Sequence, residues 1–178
     1  YIYLSYYLKN FILLLYIKLV NSKFIRIFVI MKEKSPFVLI LSGIPMSGKS
    51  TWVRENYPDV LAISRDEIVM EVAGTRDYNL AFKTVDQKIV DKLLVKRITE
   101  AATKKVDVII DMTNLSRKVR VKNLSYFSDD YYKVAVVLPI LDSAEYKRRN
   151  DFRTVNENKF IPPFVITNMM NSFVLPIE

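Results

Sequence analysis

Short apolar runs alternate with polar segments of helical length along most of this chain, and this alternation restricts the folds that the chain can adopt. The runs occupy residues 37–42, 60–64, 106–111 and 133–138, and the longest helical stretch covers about residues 81–104. A short apolar run between charged or turn residues is typical of a strand that is buried on both faces of a parallel sheet. The pattern therefore predicts an α/β layer fold with a mostly parallel sheet, in which ligands bind beyond the carboxyl ends of the strands.

The amino-acid composition narrows the chemistry that is available. The 178 residues include no Cys and no His, which excludes disulfides, zinc sites built on those residues, Ser-His-Asp triads and imidazole acid–base catalysis. Any catalysis must therefore use carboxylates, Lys, Arg, hydroxyls, backbone amides or a hard metal ion. The formal charge of +8 indicates a polyanionic partner such as nucleic acid, a nucleotide or an acidic membrane surface.

The first 30 residues differ from the rest of the sequence. They contain four basic residues and no acidic one, and they begin with Tyr1. Met31 is followed by a charged segment that is typical of the N-terminus of a soluble protein. Their longest uncharged apolar run has seven residues, whereas a membrane span needs about 20. We predict that residues 1–30 are a non-native or disordered extension of a single cytoplasmic domain at residues 31–178, without membrane attachment. A membrane or interfacial anchor and a genuine additional helix are the alternatives.

The strongest motif follows the first apolar run. Residues 43–50 read Gly-Ile-Pro-Met-Ser-Gly-Lys-Ser, which fits the phosphate-binding loop (P-loop) pattern G-x-x-x-x-G-K-[ST] between a strand and a helix. Such glycines let backbone amides converge on an anion, while the lysine reaches the β and γ phosphates and the serine hydroxyl ligates Mg²⁺. The alternative is a glycine turn without a ligand, but two of the three glycines in the chain fall at the required positions. We assign six residues to nucleotide binding: Gly43, Ser47, Gly48, Lys49, Ser50 and Thr51.

A carboxylate follows the second apolar run. Asp66 belongs to the segment Ser64-Arg65-Asp66-Glu67, and its place at the carboxyl end of a strand brings it to the same crevice as the P-loop. Phosphoryl transfer to a hydroxyl needs a carboxylate that orients the acceptor and takes its proton. The alternative is that Ser64 or Asp66 caps the helix that follows. The local sequence leaves both interpretations open.

A second carboxylate ends the third apolar run. Asp111 in this position can hold the Mg²⁺ shell together with Ser50, and Thr113 and Asn114 can position an acceptor or a phosphate. The alternative is a turn aspartate followed by a helix that Ser116 caps. Because the charge follows a buried strand beside a phosphate loop, we favour the metal-binding interpretation.

Arginines cluster near the end of the chain. Arg148, Arg149 and Arg153 lie on or just after a predicted helix at residues 143–150. Such a cluster is usually a solvated face. A phosphoryl-transfer site, however, needs guanidinium groups that neutralise the transferred group, and a mobile helical lid is a common way to supply them.

Five segments together resemble, in order and approximate spacing, the kinase domain of phage-type polynucleotide kinases. They are residues 43–52, 64–67, 111–115, 148–153 and 161–166. The resemblance implies a three-layer P-loop NTPase fold with a helical lid. It also implies an enzyme that uses ATP and Mg²⁺ to phosphorylate a 5′-hydroxyl end of DNA or RNA.

The same resemblance implies roles for individual residues. Lys49 and Ser50 would hold the ATP phosphates and the metal, and Asp66 would be the general base. The acceptor side would be lined by Arg65, Thr113 and Asn114, and the lid arginines would be Arg149 and Arg153.

Two departures bear on the substrate. The phage enzymes have a basic residue three positions after the catalytic aspartate, where this chain has Val69, and no Asp-x-Asp-Gly-Thr phosphatase motif occurs. A small-molecule or RNA-specific kinase on the same scaffold, and a non-catalytic nucleotide-binding protein, therefore remain alternatives.

Overall fold

The computed structural model describes strands β1 (Ile2–Leu8) and β2 (Phe11–Ile17) and the continuous stretch of residues 35–176. Strand β1 pairs antiparallel with β2 on one side and with a strand of the main sheet on the other. The predicted domain boundary between residues 30 and 31 lies outside the described residues, so the division of the chain at that point stays a prediction.

The four predicted strands form a parallel sheet. They are β3 (Phe37–Ser42), β4 (Leu61–Ser64), β5 (Val108–Asp111) and β6 (Tyr132–Val137). The order across the sheet is β2-β1-β6-β3-β5-β4, so β3 lies in the interior with β5 and β6 parallel to it on either side. The prediction of a mostly parallel α/β sheet is therefore confirmed.

Strand β3 has no polar face because both faces of the sheet are covered there. In β3, Val38 and Ile40 pack into the core on one face, and Leu39 and Leu41 pack into the core on the other. Successive side chains of a strand point to opposite faces, so a strand that is covered on both sides is apolar throughout. The result is a three-layer arrangement with helices on both faces of the sheet.

Helices connect the parallel strands, as a parallel sheet requires. Within the described residues they are α1 (Lys49–Asn56), α2 (Arg65–Ala73), α3 (Tyr78–Thr84), α4 (Gln87–Lys104), α5 (Arg117–Leu124), α6 (Ser143–Glu157) and α7 (Pro163–Asn171). No helix in this part of the chain is long and apolar enough to cross a membrane.

The predicted long helix at residues 81–104 is two helices, and this corrects the prediction. Val85 has an extended backbone conformation that ends α3. The side chain of Asp86 then accepts a hydrogen bond from the Lys88 amide at 2.8 Å and caps the start of α4. Asp86, which lies inside the helical sequence pattern, is therefore the N-cap residue of a second helix.

The predicted helix at residues 143–150 extends to Glu157 as α6, and Arg153 therefore lies within it. Asn150, taken as the helix end, is an interior residue whose side chain bonds both the amide and the carbonyl of Ile161. This pair of bonds fixes the segment that follows α6 against the helix. We refer to α6 as the lid helix.

Candidate active site

The P-loop connects β3 to α1 at the carboxyl edge of the sheet. Gly48 has φ +97°, a left-handed conformation that side-chain-bearing residues rarely adopt. A Cβ atom on Gly43 would lie 2.8 Å from Ser47 Oγ and 3.1 Å from Leu138 Cβ. The Gly43 amide also donates to the Thr113 carbonyl at 3.0 Å, which joins the loop to the segment after β5. Both glycines of the motif are therefore required by the geometry.

Lys49 lies against the loop that precedes it. Its Nζ donates to the carbonyls of Gly43 at 3.0 Å and Ile44 at 2.8 Å. Burial lowers the pKa of Lys49 from 10.5 to about 8, while the carboxylates of Asp111 and Asp66 act in the opposite direction. Among the described residues this half-buried cation bonds only to backbone carbonyls, so it is well placed for an anionic ligand.

Ser50 and Asp111 bring two hard oxygen atoms together across the crevice. The Ser50 hydroxyl donates to Asp111 Oδ2 at 2.8 Å. Burial raises the pKa of Asp111, and the bond from Ser50 and the charge of Lys49 oppose this effect. A hydroxyl and a carboxylate fit Mg²⁺, which usually takes one or two protein oxygens and completes its shell with water and phosphates. In the described part of the chain no cluster of three or more acidic residues forms a complete metal cage.

Two further residues were assigned to the nucleotide. Ser47 is buried in the P-loop, and its hydroxyl has no hydrogen-bond partner among the described residues. Thr51 lies exposed in the first turn of α1, where its hydroxyl accepts a long bond of 3.4 Å from Arg54. Both residues lie at the phosphate loop, and their contacts with a nucleotide stay a prediction.

Asp66 lies in the first turn of α2, with 48% of its side chain exposed. Oδ1 accepts a hydrogen bond from the Tyr78 hydroxyl at 3.2 Å, and Oδ2 accepts one from Lys159 Nζ. Neither Asp66 nor Ser64, the residue at the N-cap position, forms a side-chain capping bond. The capping alternative is therefore not what the structure shows, and the carboxylate interacts electrostatically with Lys49 in the crevice.

Sequence reasoning missed Tyr78 and Lys159. Tyr78 begins α3, and Lys159 follows the lid helix. Lys159 Nζ lies 3.7 Å from the centroid of the Tyr78 ring, so the two donors to Asp66 also contact each other. No local motif marks either residue, because their partner is distant in sequence.

An open cleft of about 540 Å³ adjoins this cluster. Its walls come from the corner between α2 and α3 and from the end of the lid helix. Arg76, Arg153 and Lys159 contribute positive charge to the lining, and Asp77 and Glu157 contribute negative charge. Arg153 pairs with Glu157 and Lys159 pairs with Asp66, whereas Arg76 forms no ion pair within residues 35–176. Arg76 is therefore available to an anionic molecule in this cleft.

The lid helix brings arginines to the crevice. Arg149 Nη1 donates to the Met46 carbonyl of the P-loop at 2.8 Å, and its Nε donates to Glu145. Arg153 pairs with Glu157 at 2.8 Å and lines the cleft. Arg148 instead extends into solvent beside Glu145, and hydrogen bonds from Arg148 and Arg149 lower the pKa of that glutamate to about 2. The structure thus brings Arg149 and Arg153 to the site and leaves Arg148 on the solvated face.

Arg65 and Thr113 are both held by contacts within the protein. The guanidinium of Arg65 binds Asp91 at 3.0 Å and Gln87 at 2.7 Å on α4. The backbone carbonyl of Thr113 accepts a hydrogen bond from the Gly43 amide. A contact of either side chain with an acceptor stays a prediction.

Asn114 is 1% exposed and has φ +42°. Its Nδ2 donates to the Leu41 carbonyl at 2.7 Å, and its Oδ1 accepts from Asn123 at 2.9 Å. The first bond joins the end of β3 to the segment after β5, and the second joins that segment to α5. The polar atoms of Asn114 are used inside the protein, which is a structural role where the sequence predicted a contact with the acceptor.

Comparison with known proteins identifies relatives of the chain. A family model described as an AAA domain matches residues 38–176. Heterogeneous nuclear ribonucleoprotein U-like protein 2 from Mus musculus is 26% identical over 148 residues, which cover 78% of this chain and 20% of that protein. The chain therefore spans about a fifth of the length of this relative.

Solved structures share the fold. A chain of the Pnkp1/Rnl/Hen1 RNA repair complex superposes with a TM-score of 0.64 at 23% identity, covering 79% of this chain and 45% of that chain. A second structure of the Pnkp1/Rnl/Hen1 complex gives a TM-score of 0.51 at 20% identity, with 66% and 40% covered. At these identities the likeness establishes the fold.

Proposed function

The chain belongs to the AAA domain family, and we propose that it is an ATP-dependent kinase. In this proposal it transfers the γ-phosphate to the 5′-hydroxyl end of DNA or RNA. The observation that carries this proposal is the position of Asp66, a half-exposed carboxylate beside a P-loop lysine and an open cleft that Arg76 lines. Nucleotide binding alone does not require a carboxylate there. Phosphoryl transfer to a hydroxyl requires one.

The P-loop residues bind the nucleotide. Backbone amides of the loop and the N-terminus of α1 face the phosphates, and Lys49 turns from the Gly43 and Ile44 carbonyls toward them. Arg149, held by Glu145 and the Met46 carbonyl, adds a second cation on the lid side of the loop. Ser50 and Asp111 would hold Mg²⁺. A bound Mg²⁺ ion would neutralise negative charge on the phosphates.

Asp66 takes the proton of the acceptor. As the acceptor oxygen forms its bond to the γ-phosphorus, the bond between that phosphorus and the bridging oxygen breaks and ADP leaves. The hydroxyl proton moves to a carboxylate oxygen of Asp66. Arg153, which lines the cleft and lies within electrostatic reach of Lys49, neutralises charge on the transferred group.

The cleft supports an anionic acceptor. Arg76 and Lys159 contribute positive charge beside Asp66, and a polynucleotide end carries phosphates next to its hydroxyl. Residues 31–178 contain 23 basic and 19 acidic residues, and this net charge of +4 favours the same class of partner only mildly. One structure with a similar fold is that of an RNA repair complex, and the murine relative is heterogeneous nuclear ribonucleoprotein U-like protein 2.

The test is incubation with γ-labelled ATP, Mg²⁺ and a panel of acceptors: 5′-hydroxyl DNA, 5′-hydroxyl RNA, nucleosides and sugars. We expect label on the oligonucleotides, with a KM that rises with salt concentration. The Lys49→Met variant, purified in parallel, measures contaminating kinase activity. Label on nucleosides or sugars alone would make the protein a small-molecule kinase. ATP binding without transfer to any acceptor would make it a nucleotide-binding protein.

A further inference from the structure

The carboxylate of Asp66 is held at both of its oxygen atoms. Tyr78 donates to one oxygen and Lys159 to the other, and the two donors come from different elements. Each carboxylate oxygen can accept more than one hydrogen bond. The two donors therefore fix the direction of the remaining lone pairs and still leave room for an acceptor hydroxyl.

Lys159 is largely buried although it lies in the segment that follows the lid helix. Only 11% of its side chain is exposed, and burial lowers the pKa of its ammonium group while Asp66 opposes this effect. The ammonium also contacts the Tyr78 ring. Burying a lysine costs free energy unless the charge is paired, and Asp66 is the carboxylate that pairs with it.

The backbone around Lys159 is fixed to the same corner of the fold. Asn158 adopts a left-handed conformation at the end of the lid helix, with φ +51°. Its Nδ2 donates to Asp77 Oδ2 at 2.8 Å, and its carbonyl accepts from Asn79 Nδ2 at 2.8 Å. The end of the lid helix is thus docked on the start of α3, next to Tyr78.

We infer that Tyr78 and Lys159 are positioning residues for Asp66, and that Lys159 makes the orientation of this carboxylate depend on the docking of the lid helix. The inference rests on the proposed function, in which Asp66 accepts the acceptor proton. The same helix carries Arg149 and Arg153. Docking of the lid helix therefore brings the cations to the phosphates, and docking of the segment at its end aligns the base.

The kinetic test compares four variants. Lys159→Met keeps the length of the side chain and removes its charge, Lys159→Arg keeps the charge, Tyr78→Phe removes one hydroxyl, and Lys147→Met changes an exposed lysine on the lid helix. We expect Lys159→Met to lower kcat roughly 10- to 100-fold, as for a misaligned catalytic group, with little change in KM for ATP. Lys159→Arg should restore most of that loss, Tyr78→Phe should lower kcat several-fold, and Lys147→Met should match the wild type.

The result that overturns the inference is a wild-type kcat in Lys159→Met. Equal losses in Lys159→Met and Lys159→Arg, accompanied by equal drops in melting temperature, would also overturn it in favour of a structural role. If Lys159→Met fails to fold, Tyr78→Phe decides the question, because a single hydroxyl is removed from a partly exposed site.

A second measurement does not depend on the acceptor. Hydrogen exchange of the nucleotide-free protein should be faster at residues 153–162 in Lys159→Met than in the wild type, and unchanged in Lys147→Met. If no acceptor is phosphorylated but this exchange rises, the proposed function fails and the docking contact stands. If oligonucleotides are phosphorylated and neither exchange nor kcat changes in Lys159→Met, the positioning role alone fails.

Discussion

The nucleotide-free protein should become more stable between pH 7 and pH 10, and Lys49 should account for much of this change. Burial lowers the pKa of Lys49 from 10.5 to about 8 in the folded protein. Between these two pH values the unfolded chain binds more protons than the folded protein, so the free energy of unfolding rises with pH. Below pH 8 both states carry the proton and the cost of burying the charge is fully present. Above pH 10.5 neither state carries it and the cost disappears.

The size of the effect follows from the two pKa values. When both states are protonated, the pKa difference lowers the free energy of unfolding by about 3.4 kcal/mol. About 2.5 kcal/mol of this cost disappears between pH 7 and pH 10. The measurement is urea unfolding of the wild type and Lys49→Met at several pH values, without nucleotide. Titrations that both proteins share cancel in the difference between the two profiles.

Between pH 7 and pH 10 the free energy of unfolding of the wild type should rise by about 2.5 kcal/mol more than that of Lys49→Met. A difference that stays constant within about 0.5 kcal/mol would refute the reasoning that Lys49 is buried at a cost.

With ATP present the phosphates stabilise the charged lysine. Calorimetry at pH 8 to 9 in buffers of different ionisation enthalpy should therefore show proton uptake on ATP binding by the wild type and none by Lys49→Met.

Other perturbations test the rest of the molecule. Asp66→Asn should retain ATP affinity and lower the single-turnover rate roughly 100-fold, and a loss below about tenfold would exclude a general base at this position. Arg153→Ala should lower the transfer rate by a larger factor than it raises the Kd for ATP, whereas equal factors would indicate ground-state binding. Asn114→Ala should lower the free energy of unfolding by about 2–4 kcal/mol, because buried partners on β3 and α5 lose their bonds; a change below about 1 kcal/mol in urea unfolding contradicts this. A chain that begins at Met31 should keep its transfer rate, since the P-loop, Asp66 and the lid helix all lie beyond that point; an insoluble or inactive product would show that β1 and β2 are needed.

The sheet and the P-loop could be predicted because their signals are local. A six-residue apolar run is sufficient to indicate β3, and eight consecutive residues specify both the turn geometry and the phosphate chemistry of the loop. The break between α3 and α4 was missed because Val85, at the break, still packs against the core. Apolar spacing therefore continues across an interruption in the backbone, and only the capping aspartate marks it.

The surroundings of Asp66 could not be predicted because they depend on contacts distant in sequence. Tyr78 and Lys159 lie 12 and 93 positions away from the carboxylate that they contact. Asn114 shows the converse difficulty. A polar residue after a buried strand serves equally well as a ligand to substrate or as a bridge between strand ends, and only its burial distinguishes the two.

The lid helix is fastened to the P-loop through Arg149 and to the α2–α3 corner through the segment that follows it. These two contacts share no residue, so either can break while the other remains formed. Release at Arg149 uncovers the nucleotide, and release at Asn158 and Lys159 uncovers the cleft beside Asp66. If the protein catalyses the proposed transfer, its two products therefore leave by separate routes. Neither has to leave before the other, and product-inhibition kinetics should show random order of release.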